Sequence, residues 1–139
     1  MTSHNTDFHA WTQEQAKLLR TGQFHKLDLE NLAEEIESLG RQERRELRNR
    51  LSVLVGHLLK WQFQPTGQGA SWRATIKAQR REINRLIQEN PSLKPYLTEA
   101  VADSYDEALA LAIRETGLEQ FPELCPYSVA QITDEEFLP

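Results

Sequence analysis

The sequence contains very little that would tie it to an oxidising compartment or a membrane. Cys125 is the only cysteine, which excludes an intrachain disulfide and a metal site built on two cysteines. No apolar run approaches the roughly 18 residues that a transmembrane helix needs. The first residues, MTSHNTDFHAW, contain neither the basic nor the apolar region of a secretory signal. We therefore expect a cytoplasmic protein that makes no membrane contact.

Motifs for catalysis are also scarce. None of the four histidines stands beside a serine or cysteine in a nucleophile motif, and there is no glycine-rich phosphate loop. The GQG at 67–69 follows a predicted helix, whereas a dinucleotide fingerprint follows a strand. Cys125 lies between Leu124 and Pro126, without a cationic neighbour that would activate the thiol. The sequence predicts no catalytic residue and no cofactor, and it favours a protein that is not an enzyme.

Charge is distributed unevenly along the 139 residues, whose net charge is −5. Residues 1–40 carry 3 basic and 7 acidic side chains, residues 41–90 carry 11 and 4, and residues 91–139 carry 2 and 10. Such a pattern has two interpretations. Either the acidic flanks pack beside the basic middle and neutralise it, or the middle binds an anionic partner. We favour the first interpretation.

Apolar residues recur at helical spacing along most of the chain, and capping residues separate the helical segments. The pattern predicts helices at 8–21, 29–39, 41–63, 72–89 and 93–116, with Gly40 ending the second and Ser71 capping the fourth. Residues 118–139 differ, because their prolines predict an extended tail with one helical turn after Ser128. The prediction is a single all-α domain over 1–139, an antiparallel bundle of four to five helices with the tail packed on it.

Each predicted helix has an apolar stripe for the bundle core. In the second helix the stripe consists of Leu29, Leu32, Ala33, Ile36 and Leu39. In the fourth it contains Trp72 and Ile76, and Arg73 and Arg80 border it. Whether these two arginines pair inside the fold or are displayed to a partner stays open at this point. Phe121 and Tyr127 indicate that the tail crosses the bundle as a strap, with a recognition segment as the alternative.

Several blocks of the chain together resemble the bacterial family called domain of unknown function 29. They are DFHAWTQEQAKLLRTGQFHKLD, LDLENLAEEIESLGRQERRELRNRLSVLVGHLLKWQFQP and SWRATIKAQRREI, followed by SLKPYL and FPELCPY. The resemblance extends from about Asp7 to Pro139. It implies a small all-α protein with no established activity, cofactor or catalytic residue, so no functional residue carries over from it.

The basic middle of the chain supplies the candidate binding surface. Arginine and tryptophan are frequent anchors of protein interfaces, and arginine also suits phosphate. A protein partner is the leading hypothesis, and weak nucleic-acid binding through the same region is the alternative, although Glu43, Glu46 and Glu82 interrupt the basic surface. The candidate residues are Arg50, His57, Trp61, Trp72, Arg73, Lys77 and Arg80.

A site for a metal or small molecule in the bundle core is the third hypothesis. Glu34 and Glu37 share a spacing with Asp103 and Asp106 on another helix, and His57 borders the core stripe. Di-iron bundles, however, use a Glu-x-x-His pair, and this chain has none. We therefore predict no metal site and assign these carboxylates to solvated helix faces.

Overall fold

A computed structural model describes residues 3–139 and confirms the all-α fold. Five helices are present: α1 (Phe8–Arg20), α2 (Leu29–Phe63), α3 (Ala70–Glu89), α4 (Leu97–Thr116) and α5 (Val129–Thr133). Between Ser3 and Pro139 no strand occurs. Asp7 caps α1 by accepting the backbone N–H of Ala10, and Gly117 ends α4 in the left-handed conformation. A capping box of Ser128 and Gln131 begins the helical turn that the tail sequence predicts.

The prediction that Gly40 ends a helix is wrong. The second and third predicted helices form one continuous helix, α2, of 35 residues. Gly22 and Gly117 have positive φ among the glycines, but Gly40 does not. A glycine inside a helix destabilises it by only about 0.5–1 kcal/mol relative to alanine, and flanking residues that favour helix outweigh this effect.

Two other helix starts are shifted from their predicted positions. Gly69 caps α3, so Ser71 lies inside its first turn instead of at the cap. The segment Pro91–Tyr96 is a 3-10 helix, and α4 begins only at Leu97. Pro95 contributes to this delay, because its ring disfavours regular α geometry at the preceding residue, Lys94.

The chain divides into two compact units, one up to Gln42 and one from Glu43 onward. The prediction of a single domain over 1–139 stays a prediction. The first unit, here the N-terminal hairpin, consists of α1 and the beginning of α2. Trp11 and Leu18 are its buried anchors. The indole N–H of Trp11 donates to the carboxylate of Asp28 at 3.0 Å, and the Asp28 N–H donates to Oε1 of Gln15 at 2.8 Å.

The second unit, here the C-terminal unit, packs the rest of α2 with α3, α4 and the tail. Arg50 contacts Glu82 and Trp61 contacts Arg73, so α3 runs antiparallel to α2. Gly56 lies against Ala108 and Lys60 pairs with Glu115, so α4 runs parallel to α2. A Cβ at Gly56 would lie 3.1 Å from the carbonyl oxygen of Ala108, so glycine allows this close approach of the two helices.

The tail contributes directly to the core of the C-terminal unit. Tyr127 and Ile132 are buried among the core residues of α2, α3 and α4. The hydroxyl of Tyr127 donates to Oε1 of Gln62 at 2.7 Å, and the hydroxyl of Tyr105 donates to the carbonyl of Pro122. Phe121 contacts Phe63 edge to face. These contacts are those of a strap fixed across the helices.

Candidate interaction surfaces

The structure places the seven predicted binding residues in different environments. Trp61, His57 and Arg80 are buried, Trp72 and Arg50 are partly buried, and Arg73 and Lys77 are exposed. The three buried residues do not contribute to a surface of this chain as it stands. A binding role for the whole set stays a prediction, and the exposed residues that would carry it are Arg73 and Lys77.

Arg80 is an internal clamp for the tail. It is 2% exposed, its Nε donates to the carbonyl of Ile132 at 2.8 Å, and its Nη2 donates to the carbonyl of Gln131 at 3.2 Å. Both carbonyls belong to the last turn of α5, where a cation is favourable. Burial lowers the pKa of the Arg80 guanidinium, and Asp134 and Glu135 oppose that effect. Arg80 is therefore paired inside the fold.

Arg73, which has the same border position in the sequence pattern, is displayed. Its guanidinium lies 5.5 Å from the centre of the buried Trp61 ring, and the side chain is exposed. Lys60 makes the same kind of contact with Trp72, and its Nζ lies 4.5 Å from the centre of that ring. Sequence reasoning missed Lys60, which is 3% exposed and bonds Glu115 at 3.0 Å. Its position in the sequence between the apolar residues Leu59 and Trp61 was the available signal.

Most other arginines of the basic middle also have partners within the fold. Arg50 bonds Glu46 and contacts Glu82, and Arg85 bonds Glu82 and Glu89. Arg48 donates to the Tyr96 hydroxyl at 2.8 Å, and Arg44 lies over the same ring. Several arginines of the basic middle are thus engaged by hydrogen bonds and ion pairs, some within one helix and some between α2 and α3, which weakens the case for a phosphate-binding surface.

A groove of about 390 Å³ separates α3 from the end of the tail. Arg73, Lys77 and Arg81 line one side, and Glu135 and Glu136 line the other. The tail therefore places negative charge directly opposite the exposed basic side chains of α3. A polyanion that entered this groove would meet two carboxylates, so the groove is a mixed-charge surface and not a basic one.

His57 is held by its own helix. Its Nδ1–H donates to the carbonyl of Val53 at 2.9 Å. Burial lowers the pKa of His57; the Val53 bond opposes this effect, and the nearby Lys60 adds to it. The imidazole is therefore stabilised in its neutral form by the folded state.

The lowered pKa of His57 predicts a loss of stability in mild acid. Because the folded pKa lies below the ordinary value near 6.5, the unfolded chain binds more protons as the pH falls through that value. The free energy of unfolding should therefore decrease below about pH 6.5 until the folded-state pKa is passed. Titration of the His57 ring by NMR, with urea unfolding of wild type and His57→Gln at several pH values, measures both effects. A His57 pKa at or above 6.5, or equal acid slopes for the two proteins, contradicts the prediction.

The residues considered for catalysis or metal binding are not assembled into a site. The Cys125 Sγ lies 3.6 Å from the carbonyl of Tyr127, and burial raises the pKa of this thiol, which makes it less nucleophilic. Glu34, Glu37, Asp103 and Asp106 are exposed. In the described part of the chain, no group of three or more histidine, cysteine, aspartate or glutamate side chains is placed to hold a metal ion.

The N-terminal hairpin exposes several large apolar side chains, which sequence reasoning did not identify as a surface. We define the hairpin face as Phe8, Leu19, Leu29, Ile36 and Leu39. Their side chains are between 48% and 68% exposed. Helical spacing places all five on the apolar stripes of the first two predicted helices and so predicts that they face the core, and that placement is wrong. The apolar stripe was the available signal, but a stripe does not show whether it packs inside the same chain or against a partner.

A shallow groove of about 320 Å³ runs along the hairpin face between α1 and α2. Trp11, Gln15 and Leu32 also line it. Gln15 is buried, and its Nε2 is the one buried side-chain donor among residues 3–139 without a hydrogen-bond acceptor. Buried donors without acceptors are rare and destabilising. The groove thus combines exposed apolar side chains with an unsatisfied polar atom in its lining.

Of the helices that the structure describes, none is both long and apolar enough to cross a bilayer.

Comparison with known proteins gives the family and no assigned activity. No curated protein and no solved structure matches the chain at the significance required. The family model described as "Domain of unknown function DUF29" matches residues 4–138, which is nearly the whole chain and agrees with the sequence blocks quoted above. This chain therefore belongs to the DUF29 family.

Proposed function

We propose that this chain is a cytoplasmic protein-interaction module and that the hairpin face is its contact surface. The observation that carries the proposal is the grouping of five large apolar side chains, about half to two-thirds exposed, on one side of two packed helices. Contiguous exposed apolar patches on a soluble protein mark interaction sites. Isolated exposed leucines such as Leu124 do not have this significance.

The energetics of the hairpin face favour a partner. Full burial of a leucine, isoleucine or phenylalanine side chain is worth about 1.5–3 kcal/mol relative to exposure. Five half-exposed side chains therefore offer a driving force of several kcal/mol before the cost of association is subtracted. Among the described residues 3–42, the buried apolar side chains are Trp11 and Leu18, and the side chains of the hairpin face stay exposed.

The basic region is a weaker candidate for the contact surface. Arg44, Arg48, Arg50, Arg80 and Arg85 already have partners within the C-terminal unit. A partner that recruited these arginines would first have to break those contacts. The hairpin face requires no such rearrangement, because its side chains are already exposed.

The test is an affinity capture from cell lysate with three tagged proteins. They are wild type, the double variant Ile36→Glu/Leu39→Glu and, as a matched control, Leu124→Glu. Leu124 is 81% exposed and lies outside the hairpin face, so the control introduces the same charge on an unrelated surface. We expect wild type and control to retain the same protein after nuclease treatment, and the double variant to lose it at unchanged melting temperature. The retained protein is identified by mass and its binding repeated with purified components.

Two outcomes contradict the proposal. Retention of the same protein by the double variant would show that the hairpin face is not the contact surface. Loss of all bound material from wild type after nuclease would favour nucleic-acid binding instead. In that case binding to heparin should weaken steeply as salt increases, and substitution of the exposed Arg73 and Lys77 should reduce it.

A further inference from the structure

We infer that the partner at the hairpin face is a second copy of this chain, bound so that two hairpins form a four-helix bundle. The inference rests on the proposed function, since it names the partner of that same surface. Three observations carry it: the placement of charge on the two rims of the face, the geometry of a two-fold pairing, and the area available for contact.

The two rims of the hairpin face carry opposite charge. At about 100° per residue, Arg20 lies about 120° around α1 from Phe8, and Glu30 lies about 100° around α2 from Leu29. The rim of α1 is thus marked by Arg20, and the rim of α2 by Glu30 and the ion pair of Arg41 with Glu37. Arg20 and Glu30 are exposed, and among residues 3–139 neither of them forms an ion pair.

A two-fold axis parallel to the helices, lying in the plane of contact, makes these rims complementary. It places α1 of one copy opposite α2 of the other and keeps the two connecting loops at the same end. Arg20 is the last residue of α1 and Glu30 is in the first turn of α2, so both lie at this loop end. Each Arg20 then approaches Glu30 of the second copy. The contact occurs twice, as an isologous dimer requires.

The apolar residues match in the same arrangement. Leu19 precedes Arg20 at the loop end of α1, and Leu29 precedes Glu30 at the loop end of α2. The pairing therefore brings Leu19 over Leu29 and Leu32 of the other copy, and Phe8 over Ile36 and Leu39. Two hairpins related in this way give an antiparallel four-helix arrangement with an apolar centre and charged flanks, which is a common bundle architecture.

A partner helix of one charge sign fits the hairpin face less well. A basic amphipathic helix would pair with Glu30 but would lie against Arg20 along the other rim. An acidic helix would have the reverse problem. Because like charges at a rim disfavour a wrong partner, a partner with one acidic and one basic rim is required, and this chain itself provides both.

The available area predicts a reversible dimer. The 13 residues of α1 span about 20 Å, and two packed helices are about 20 Å wide. The contact therefore buries on the order of 1,000 Å² in total, near the lower limit for a specific interface. We expect a dissociation constant in the micromolar range, because a small interface leaves little binding free energy after the costs of association.

Charge exchange across the interface tests the inference. We compare full-length wild type, Arg20→Glu and Glu30→Arg by sedimentation equilibrium, each alone and the two variants in an equimolar mixture. The measurements are made at low salt and at concentrations up to about 100 µM, where a micromolar dimer is mostly assembled. Each variant alone brings like charges together at both rims and should dissociate at least about tenfold more readily than wild type. In the mixture every rim contact is again between opposite charges, so the two variants should pair as tightly as wild type.

Lys77→Glu, on α3 and outside the hairpin, is the matched control and should sediment like wild type. A monomeric wild type throughout this range, or a mixture that associates no better than its components, would overturn the self-association. If the capture experiment still shows a different protein that the double variant loses, the proposed function stands and only the identity of the partner is wrong. If neither experiment shows dependence on the hairpin face, both proposals fail.

Discussion

Removal of residues 118–139 is expected to leave the C-terminal unit largely unfolded. Tyr127 and Ile132 are part of its core, and loss of a large buried side chain typically destabilises a protein by about 2–5 kcal/mol. The truncation also removes the two carbonyls that accept from Arg80 and exposes to water the apolar surface of α2, α3 and α4 that the tail covers. Loss of the two side chains together, on the order of 4–10 kcal/mol, is comparable to the whole stability of a typical domain.

Far-ultraviolet circular dichroism and thermal unfolding of the truncated chain measure this effect. The tail residue Leu124 provides the control, because its exposed side chain takes no part in the core, and Leu124→Asp should melt like wild type. A truncated chain that keeps the helical signal and melting temperature of the full chain would show that the tail is an accessory segment, available for recognition, and not a strap.

Replacement of Arg80 by methionine is expected to lower the free energy of unfolding by about 2–4 kcal/mol. Methionine retains much of the apolar stem but supplies no donor for the carbonyls of Ile132 and Gln131, and hydrogen bonds from charged groups contribute about 1.5–3 kcal/mol. Arg80→Lys should recover only part of the loss, because an ammonium does not reproduce the planar arrangement of guanidinium donors.

The adjacent Arg81 makes a matched control for Arg80. It is exposed on the same helix, so Arg81→Met removes the same charge and should change stability by no more than about 0.5 kcal/mol. Urea unfolding at neutral pH gives both values. Equal effects of the two substitutions would mean that the bonds from Arg80 to the tail do not stabilise the fold.

The sequence predicts the helices better than it predicts what covers them. Helical spacing and caps locate α1, the end of α4 and the short α5, because these signals are local and do not depend on the rest of the chain. Gly40 shows the limit of that reasoning. Glycine suits a helix end only when it takes positive φ, and the choice between an end and a continuation depends on the residues that follow. Here they continue the helix into Arg41.

The apolar stripes have the same limit. The stripe of residues 47–61 in α2 is buried, whereas Leu29, Ile36 and Leu39 in the same helix are exposed. Both stripes have the spacing of a buried face, so periodicity does not distinguish a core from an interface. The difference arises because α3, α4 and the tail pack on the later part of α2, and this is a property of the tertiary arrangement.

Arg73 and Arg80 illustrate why the candidate site was only partly predictable. The two residues are seven positions apart on α3 and border the same apolar stripe, yet one is displayed and the other is buried. The burial of the two side chains differs because the last turn of α5 lies over Arg80. Likewise, the positive charge of the middle segment is a property of the sequence, but its pairing with glutamates of neighbouring helices is a property of the fold.

The central claim is that the hairpin face joins two copies of this chain, and sedimentation velocity of wild type beside Ile36→Glu tests it most directly. Ile36 is 66% exposed, so the substitution should leave the melting temperature of the free chain unchanged. The account predicts that wild type sediments as a dimer that dissociates on dilution, and that Ile36→Glu sediments as a monomer at every concentration. A wild type and a variant that sediment identically at every concentration would contradict the assignment of this surface as the contact between two copies of the chain.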